Sequence, residues 1–446
     1  MTMGTDRKVH VVSLGCPKNL VDSERMLGLL GGNDYQITSD PDDADVVIVN
    51  TCGFIGPAKE ESIDAIMAAQ QLRRQGGKCK GVIVTGCLAQ RYESELKEEL
   101  PEADRILTLD QETEIVHHVD ELLQISRGPE AIDDSAPRQT LTPGHWAYLR
   151  ISDGCDHKCA FCAIPLIKGR HKSESIEALV DEADRLAAMG ARELVLIAQD
   201  SLRYGKDLYG KISLVQLLEK LSAVKGINWL RLMYTYPAFW SDELLEFYAS
   251  SDTMCHYVDM PLQHIADPIL VRMKRATTKK RTIDLLARLR RLMPDVGLRS
   301  SFIVGFPGET EAHFEELLEF VGTVRFDTAT CFMYSHEEGT SAHGLTETVS
   351  EAVKGERFRR LTELQDQIST EINDALVGSR QTALVDSREE DGFWGRMARD
   401  APEIDGQVHI EPADGESSLA VGSFVEVDIT DAASYELSGK ATGRTW

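Results

Sequence analysis

The sequence predicts an α/β protein in three parts. Residues 1–127 read as an open α/β domain, 145–376 as an incomplete (β/α)6 TIM-like barrel, and 377–446 as a small antiparallel β-barrel. Three observations support this division. Short continuous apolar runs alternate with helical stretches up to about residue 376, as expected of parallel strands covered on both faces. Residues 128–144 are rich in Pro, Gly, Ser and Asp and read as a linker. After residue 376 the helical pattern gives way to short β-like pieces separated by turns. The 446-residue length suits two to three domains, and 42% apolar residues can fill their cores.

In the first part, strands are expected at 11–14, 46–49 and 82–84, each followed by a helix, at 22–30, 59–74 and 93–100. In the second, strands are expected at 147–151, 194–197, 229–233, 256–260, 299–304 and 329–332. Helices fit 176–189, 214–224, 242–249, 278–292 and 310–321. Six strands alternating with helices suggest the incomplete barrel, and a doubly wound open sheet is the rival. Residues 355–375 form a charged helical stretch, and β pieces follow at 381–385, 392–398, 408–410 and 423–429.

The formal charge is −25, from 73 acids against 48 bases. Such a surface is a poor generic match for a phosphate backbone and leaves room for a basic protein partner, although a local basic cleft could still bind RNA. No apolar run approaches the roughly 20 residues that span a bilayer, and the N-terminus does not read as a signal peptide. A cytoplasmic protein with no membrane partner is expected. Structural disulfides are rare there, so the nine cysteines point to metal ligation or thiol chemistry.

Each of the first three strands ends just before a cysteine: Leu14-Gly15-Cys16, Asn50-Thr51-Cys52 and Thr85-Gly86-Cys87. The intervals of 36 and 35 residues are about one strand–helix unit each. Ligands of open α/β sheets gather outside the carboxyl ends of strands, so three thiols delivered there can converge on one metal site. A second set, Cys155-x-x-x-Cys159-x-x-Cys162, places three soft thiolates in eight residues. Thiolates favour iron–sulfur clusters, zinc or copper(I). Structural zinc wants four ligands, and His157 or His171 would have to complete such a set. Gly154 before the segment and Pro165 after it favour a loop around a metal over one continuous helix.

The CxxxCxxC spacing resembles that of radical S-adenosylmethionine enzymes. The resemblance implies that Cys155, Cys159 and Cys162 hold a [4Fe–4S] cluster whose open iron binds S-adenosylmethionine and breaks it into a 5′-deoxyadenosyl radical. Phe161, just before the last cysteine, would pack near the adenine or shield the cluster. Cys16, Cys52 and Cys87 resemble the methylthiotransferase branch, in which they hold a second [4Fe–4S] cluster that carries the sulfur to be inserted. The words Ser13-Leu14-Gly15-Cys16-Pro17-Lys18-Asn19, Asn50-Thr51-Cys52-Gly53-Phe54-Ile55, Met260-Pro261-Leu262-Gln263-His264, Gly305-Phe306-Pro307-Gly308-Glu309-Thr310 and Tyr334-Ser335-His336-Glu337-Glu338-Gly339-Thr340 look like the methylthiotransferases that act on a ribosomal protein. The resemblance covers essentially the whole chain.

That resemblance implies a fold of an N-terminal methylthiotransferase domain, a radical S-adenosylmethionine barrel and a TRAM-like β-barrel. The target would be the β-carbon of an aspartate in small-subunit ribosomal protein twelve, free or in the ribosomal particle, and the product 3-methylthioaspartate. An electron donor such as flavodoxin or ferredoxin and a sulfur donor would be further partners. Gln199 and Asp200 would contact S-adenosylmethionine or cap their loop. Gly305 and Gly308 would allow close backbone approach, with Glu309 joining them or capping the turn. Ser301 and Tyr334 are further candidates for contact with the cosubstrate or substrate. Lys18 and Asn19 would steady the sulfur-bearing cluster or an acidic substrate, or simply face solvent, and His264 would line the cavity or serve the core.

Three details depart from the pattern: Lys172-Ser173-Glu174 where Ser-Arg is usual, Ser201 where Thr is common, and Ser300-Ser301 where threonines are common. Glu174 reverses a charge, which puts an anion-binding role there in doubt. Two alternatives stay open, a tRNA adenosine methylthiotransferase and an iron–sulfur electron-transfer protein. Two sets of three cysteines each leave a ligand vacancy, which favours an enzyme. Residues 377–446 carry 14 acids against six Lys or Arg. That surface fits docking onto a basic protein better than RNA binding, so RNA contact is not expected to be primary; a merely solubilising surface is the plainer reading. Cys79, Cys255 and Cys331 are expected to be buried non-ligands.

Overall fold

The computed structural model describes residues 7–74, 77–100, 103–128, 131–390, 392–413 and 419–446. Two positions of the expected linker, 129 and 130, lie outside them. The chain divides into two compact units. The first runs to Leu141 and takes in Gly154–Asp156 and Ala163–Arg170; the second holds the remainder.

The first unit is a five-stranded parallel sheet of β1 (Lys8–Ser13), β2 (Gln36–Ile37), β3 (Val46–Thr51), β4 (Gly81–Gly86) and β5 (Arg105–Ile106), in the order β2-β1-β3-β4-β5. Every residue of β3 and β4 is buried, which explains why these runs are continuously apolar rather than alternating. Val47, Val49, Val82 and Val84 pack on Ile66 and Ala69 of α2 (Gly56–Arg74). On the other face Val9, Val46, Ile48 and Ile83 meet Met26 and Leu30 of α1 (Pro17–Gly32) and Ile115 and Val119 of the helix Ile115–Leu122. The register pairs Ser13 with Asn50 and Asn50 with Thr85. The three strands therefore end level, and the residues that follow them share one edge. Helix α1 starts five residues earlier than the sequence pattern suggested, because Pro17 at its first turn fits a helix N-terminus.

The second unit holds six parallel strands in sequential order. β6 (Trp146–Arg150), β9 (Glu193–Ile197) and β10 (Trp229–Leu232) form one sheet, and β11 (Tyr257–Asp259), β12 (Gly297–Val304) and β13 (Thr328–Met333) the other. A single bridge, Leu230 to Met254, continues the first sheet toward the second. Strand order never reverses, as a doubly wound sheet would require, so the incomplete barrel is the architecture. β7 (Ser152–Asp153) and β8 (Lys172–Ser173) make a short antiparallel pair beside it. Outward residues such as Leu149, Leu196, Leu232, Phe302 and Val304 form one apolar core with the surrounding helices. Side-chain oxygens of Ser175, Ser241, Thr278 and Thr310 cap four of those helices.

The last five strands, β14 (Arg380–Glu389), β15 (Gly392–Met397), β16 (Gln407–Glu411), β17 (Phe424–Ala432) and β18 (Glu436–Thr445), close into a barrel. The pairs are antiparallel except β16 with β18, which is parallel. The sequence pattern did not reveal β18. Its segment Glu-Leu-Ser-Gly-Lys-Ala-Thr-Gly-Arg-Thr is glycine-containing and weakly apolar, and pairing on both edges holds it.

A buried ionic layer joins this barrel to the amino ends of the central strands. Glu193, fully buried on β9, receives Arg231 Nε at 2.7 Å and Arg396 Nη1 at 2.8 Å. Arg396 also forks onto Asp386 at 2.7 and 3.0 Å. Tyr148 donates to Glu403, Tyr257 to Asp405, and Arg231 to the Ala398 carbonyl. The third domain thus forms the floor of the central barrel.

Candidate metal centres

In the first unit each strand-end cysteine adjoins a glycine, and each glycine is needed. Gly15 has φ +90°, and a Cβ there would stand 2.8 Å from Cys52 Cβ and 3.1 Å from its Sγ. A Cβ on Gly53 would meet Leu88 Cα at 2.7 Å and the Cys87 carbonyl at 2.9 Å. Gly86 has φ +94°, and its Cβ would lie 2.5 Å from Thr51 N. Side chains at these positions would force the three loops apart. Buried Asn19 latches them together: its Nδ2 donates to Leu14 O at 2.9 Å and Thr51 O at 3.0 Å, and its Oδ1 accepts from Cys87 Sγ at 3.7 Å. One amide so touches the approach to every one of the three thiols. Ser62 accepts the Cys52 N–H at 2.9 Å and fixes that loop from α2.

Cys16 is exposed, Cys52 half-buried and Cys87 buried. Burial pushes the Cys87 thiol well above its ordinary range; the Lys168 charge opposes this, while Cys16, Cys52 and Asp22 add to it. Burial likewise raises Cys52. Thiols bind a metal as thiolates, giving up their protons. Lys168 and Asp22, both nearly inaccessible, pair at 2.8 Å in the same unit. No three Cys, His, Asp or Glu side chains of the described residues close on a single point. A cluster that takes one thiolate per iron spreads its ligands more widely than one ion does.

Cys155 falls in the first unit, Cys159 and Cys162 in the second. The Cys155 N–H donates to Gly169 O at 3.1 Å. Gly154, at φ +70°, has no room for a side chain, the Gly169 carbonyl standing 2.9 Å from where a Cβ would be. Ala160, between the other two cysteines, is pinned by its N–H to Met273 O at 2.9 Å and by its carbonyl to Ala342 N at 2.8 Å. Phe161 packs at the edge of an apolar cluster of Ala160, Phe306 and Tyr334. The segment is a loop with one turn, and a short helix, Ile164–Ile167, begins only after Cys162.

Of the other expected site residues, Gln199 donates through Nε2 to Asp153 Oδ1 at 2.7 Å, and its buried Oε1 meets no protein donor among the described residues. Asp200 is turned inward: Oδ1 caps Leu202 N at 3.1 Å and Oδ2 pairs with His157 Nε2 at 2.6 Å. Ser301 is half-buried on β12, with its carbonyl accepting the Gln263 N–H at 2.8 Å. Gly305 (φ +77°) and Gly308 (φ +92°) form the turn after β12. Buried Glu309 supports that turn, accepting Gly305 N–H at 3.0 Å and Arg357 Nη1 at 2.8 Å. His264 lies 3.4 Å from Glu309 and accepts the Ala266 N–H, a core role. Lys18 is buried, not solvent-facing.

His157 and His171, the residues a zinc set would need, are engaged elsewhere, His157 with Asp200 and His171 with Ser173. Cys79, Cys255 and Cys331 are buried, and burial pushes the thiols of Cys255 and Cys331 up to about 12. The sequence reading missed the glycine requirement, the Lys168–Asp22 pair and Arg275, whose Nη1 lies 3.6 Å from Cys159 Sγ. Only the glycines left a visible signal, one beside each strand-end cysteine.

Residues 8–108 match the uncharacterized protein family UPF0004, 149–321 the radical SAM superfamily, and 377–442 the TRAM domain. Among solved structures, the radical S-adenosylmethionine methyltransferase TsrM from Kitasatospora setae matches with a TM-score of 0.54 and 13% identity over 85% of this chain and 78% of that one, a likeness of fold. The ribosomal protein uS12 methylthiotransferase RimO of Desulforamulus reducens is 45% identical over 97% of this chain and 99% of its own. That of Trichlorobacter lovleyi is 44% identical over 97% of each. With this likeness running through all three domains, the chain belongs to the RimO family of ribosomal protein uS12 methylthiotransferases, radical S-adenosylmethionine enzymes.

Proposed function

We propose that the protein replaces a β-carbon hydrogen of an aspartate in ribosomal protein uS12 by a methylthio group. The observation that carries this reading is the first thiol set, where three glycines and Asn19 bring Cys16, Cys52 and Cys87 to one sheet edge. A generator of radicals alone has no use for it. In this reading Cys16, Cys52 and Cys87 hold one [4Fe–4S] cluster and Cys155, Cys159 and Cys162 the other. When bound, the clusters and S-adenosylmethionine supply sulfur, methyl group and one-electron chemistry that side chains lack.

The chain's own residues bind and orient. Asn19 and Ser62 fix the first three loops, and the Lys168–Asp22 pair sets a cation near Cys87. The free face of Gln199 Oε1, Ser301 and the Gly305–Gly308 turn are the proposed S-adenosylmethionine contacts, with Phe161 beside the adenine. Glu309 acts on the turn from below, and Asp200 acts through His157. The division into 1–127, 128–144, 145–376 and 377–446 is kept as the functional one.

The acidic third domain supports a basic protein recipient over tRNA. Flavodoxin or ferredoxin as reductant, a separate sulfur donor and a cytoplasmic setting complete the reading. The test is anaerobic reconstitution with iron and sulfide, then dithionite and S-adenosylmethionine, with uS12 and bulk tRNA offered in parallel. A mass gain on uS12 equal to SCH3 replacing H is expected. The same group on tRNA alone would overturn the assignment.

A further inference from the structure

We propose that Arg275 is a positioning residue of the radical-generating centre and makes it easier to reduce. This rests on the reading of Cys159 as a cluster ligand. Arg275 Nη1 lies 3.6 Å from Cys159 Sγ, across 116 residues of sequence. A donor and a positive charge at a ligand sulfur stabilise the more negative, reduced state, and hydrogen bonds to such sulfurs are among the groups that set cluster potentials.

The guanidinium is held in place from two further sides. Its Cζ sits 4.1 Å from the Tyr236 ring centroid. Its Nη2 donates to the Pro261 carbonyl. Its Nε–H is buried and meets no acceptor among the described residues, so the group is not placed there to complete a protein hydrogen-bond set. Tyr236 is itself fixed. Its hydroxyl accepts the Ala276 N–H at 2.9 Å. On the ring, His157 stacks at 4.1 Å with an interplanar angle of 10°. His157 is anchored by Asp200 at 2.6 Å. A line of contacts thus runs Asp200, His157, Tyr236, Arg275, Cys159, and begins and ends beside the cysteine loop. It gives Asp200 and His157, one expected at the cosubstrate and the other a conceivable zinc ligand, a shared task in orienting the guanidinium.

The test uses the full chain, anaerobically reconstituted. The centre is identified by the electron paramagnetic resonance signal that S-adenosylmethionine perturbs, and is titrated against dithionite. Arg275→Met is expected to shift the midpoint to more negative potential by about tenfold in the reduction equilibrium, about 59 mV for one electron. Arg275→Lys should keep part of the shift. An unchanged midpoint in Arg275→Met with full iron overturns the proposal. Should Arg275→Met lose the signal that S-adenosylmethionine perturbs, Tyr236→Leu decides: a smaller negative shift supports the proposal and none refutes it. Cys159→Ala separates this from the underlying reading, because a retained responsive signal there would remove Cys159 as a ligand altogether.

Discussion

Replacing Glu193 by Ala tests whether the third domain is part of the barrel or merely attached to it. Glu193 is fully buried and its two oxygens serve two guanidiniums, Arg231 at 2.7 Å and Arg396 at 2.8 Å. Arg396 would keep its fork on Asp386. Arg231, equally inaccessible, would keep the Ala398 carbonyl and the Tyr257 and Trp229 rings, 4.7 and 6.0 Å from its Cζ, but no anionic partner for its charge. It cannot escape by losing a proton. Removing one partner of a buried pair costs about 3–5 kcal/mol, and with the damage concentrated on Arg231 the upper half of that range applies. Arg396→Met should cost less, about 3 kcal/mol, because Glu193 then keeps Arg231 and Asp386 keeps His145 at 2.8 Å. Unfolding of a multidomain protein is not two-state, so amide hydrogen exchange in β9, β10 and β15 is the suitable measurement. A loss of about 4 kcal/mol speeds exchange there about a thousandfold. Rates within about threefold of the parent, as for a surface substitution, would refute the reasoning.

Gly86→Ala puts a Cβ against Thr51 in a backbone region that costs other residues about 1–3 kcal/mol; iron content should fall to one cluster's share while the signal that S-adenosylmethionine perturbs survives. Full iron in that variant would mean the three loops need not converge. Burial pushes Asp400 up to about 6, partly opposed by Arg399. Between about pH 4 and 6 the folded protein therefore keeps a proton that the unfolded chain has lost, and stability falls as pH rises through that window. Asp400→Asn should flatten that slope, worth about 3 kcal/mol across it, in thermal unfolding measured against pH.

Much of the fold was legible because it is written locally. The β3 and β4 runs, the six central strands and the cysteine at each strand end all announce themselves within a few residues. β18 did not, because two partners rather than its own composition make it a strand. The two cysteine sets were visible as spacing; what organises them was not. Asn19 reaches Thr51 across 32 residues, Lys168 reaches Asp22 across 146 and Arg275 reaches Cys159 across 116. Neither periodicity nor turn chemistry carries such pairings. Asp200 shows the opposite difficulty: its place after a strand suggested an outward role, yet its carboxylate turns in to a cap and a histidine.

The buried floor also sets an order of events in synthesis. Glu193 meets Arg396 across 203 residues of chain. At the usual 5–20 residues per second of translation, Arg396 follows Glu193 from the ribosome after about 10–40 s. Until then Glu193 has Arg231 as its one guanidinium partner among those described, and the amino ends of the central strands stand open. The nascent barrel lacks its floor until the third domain has been made. Its closing contact is among the last to form, although the strands it locks are made early.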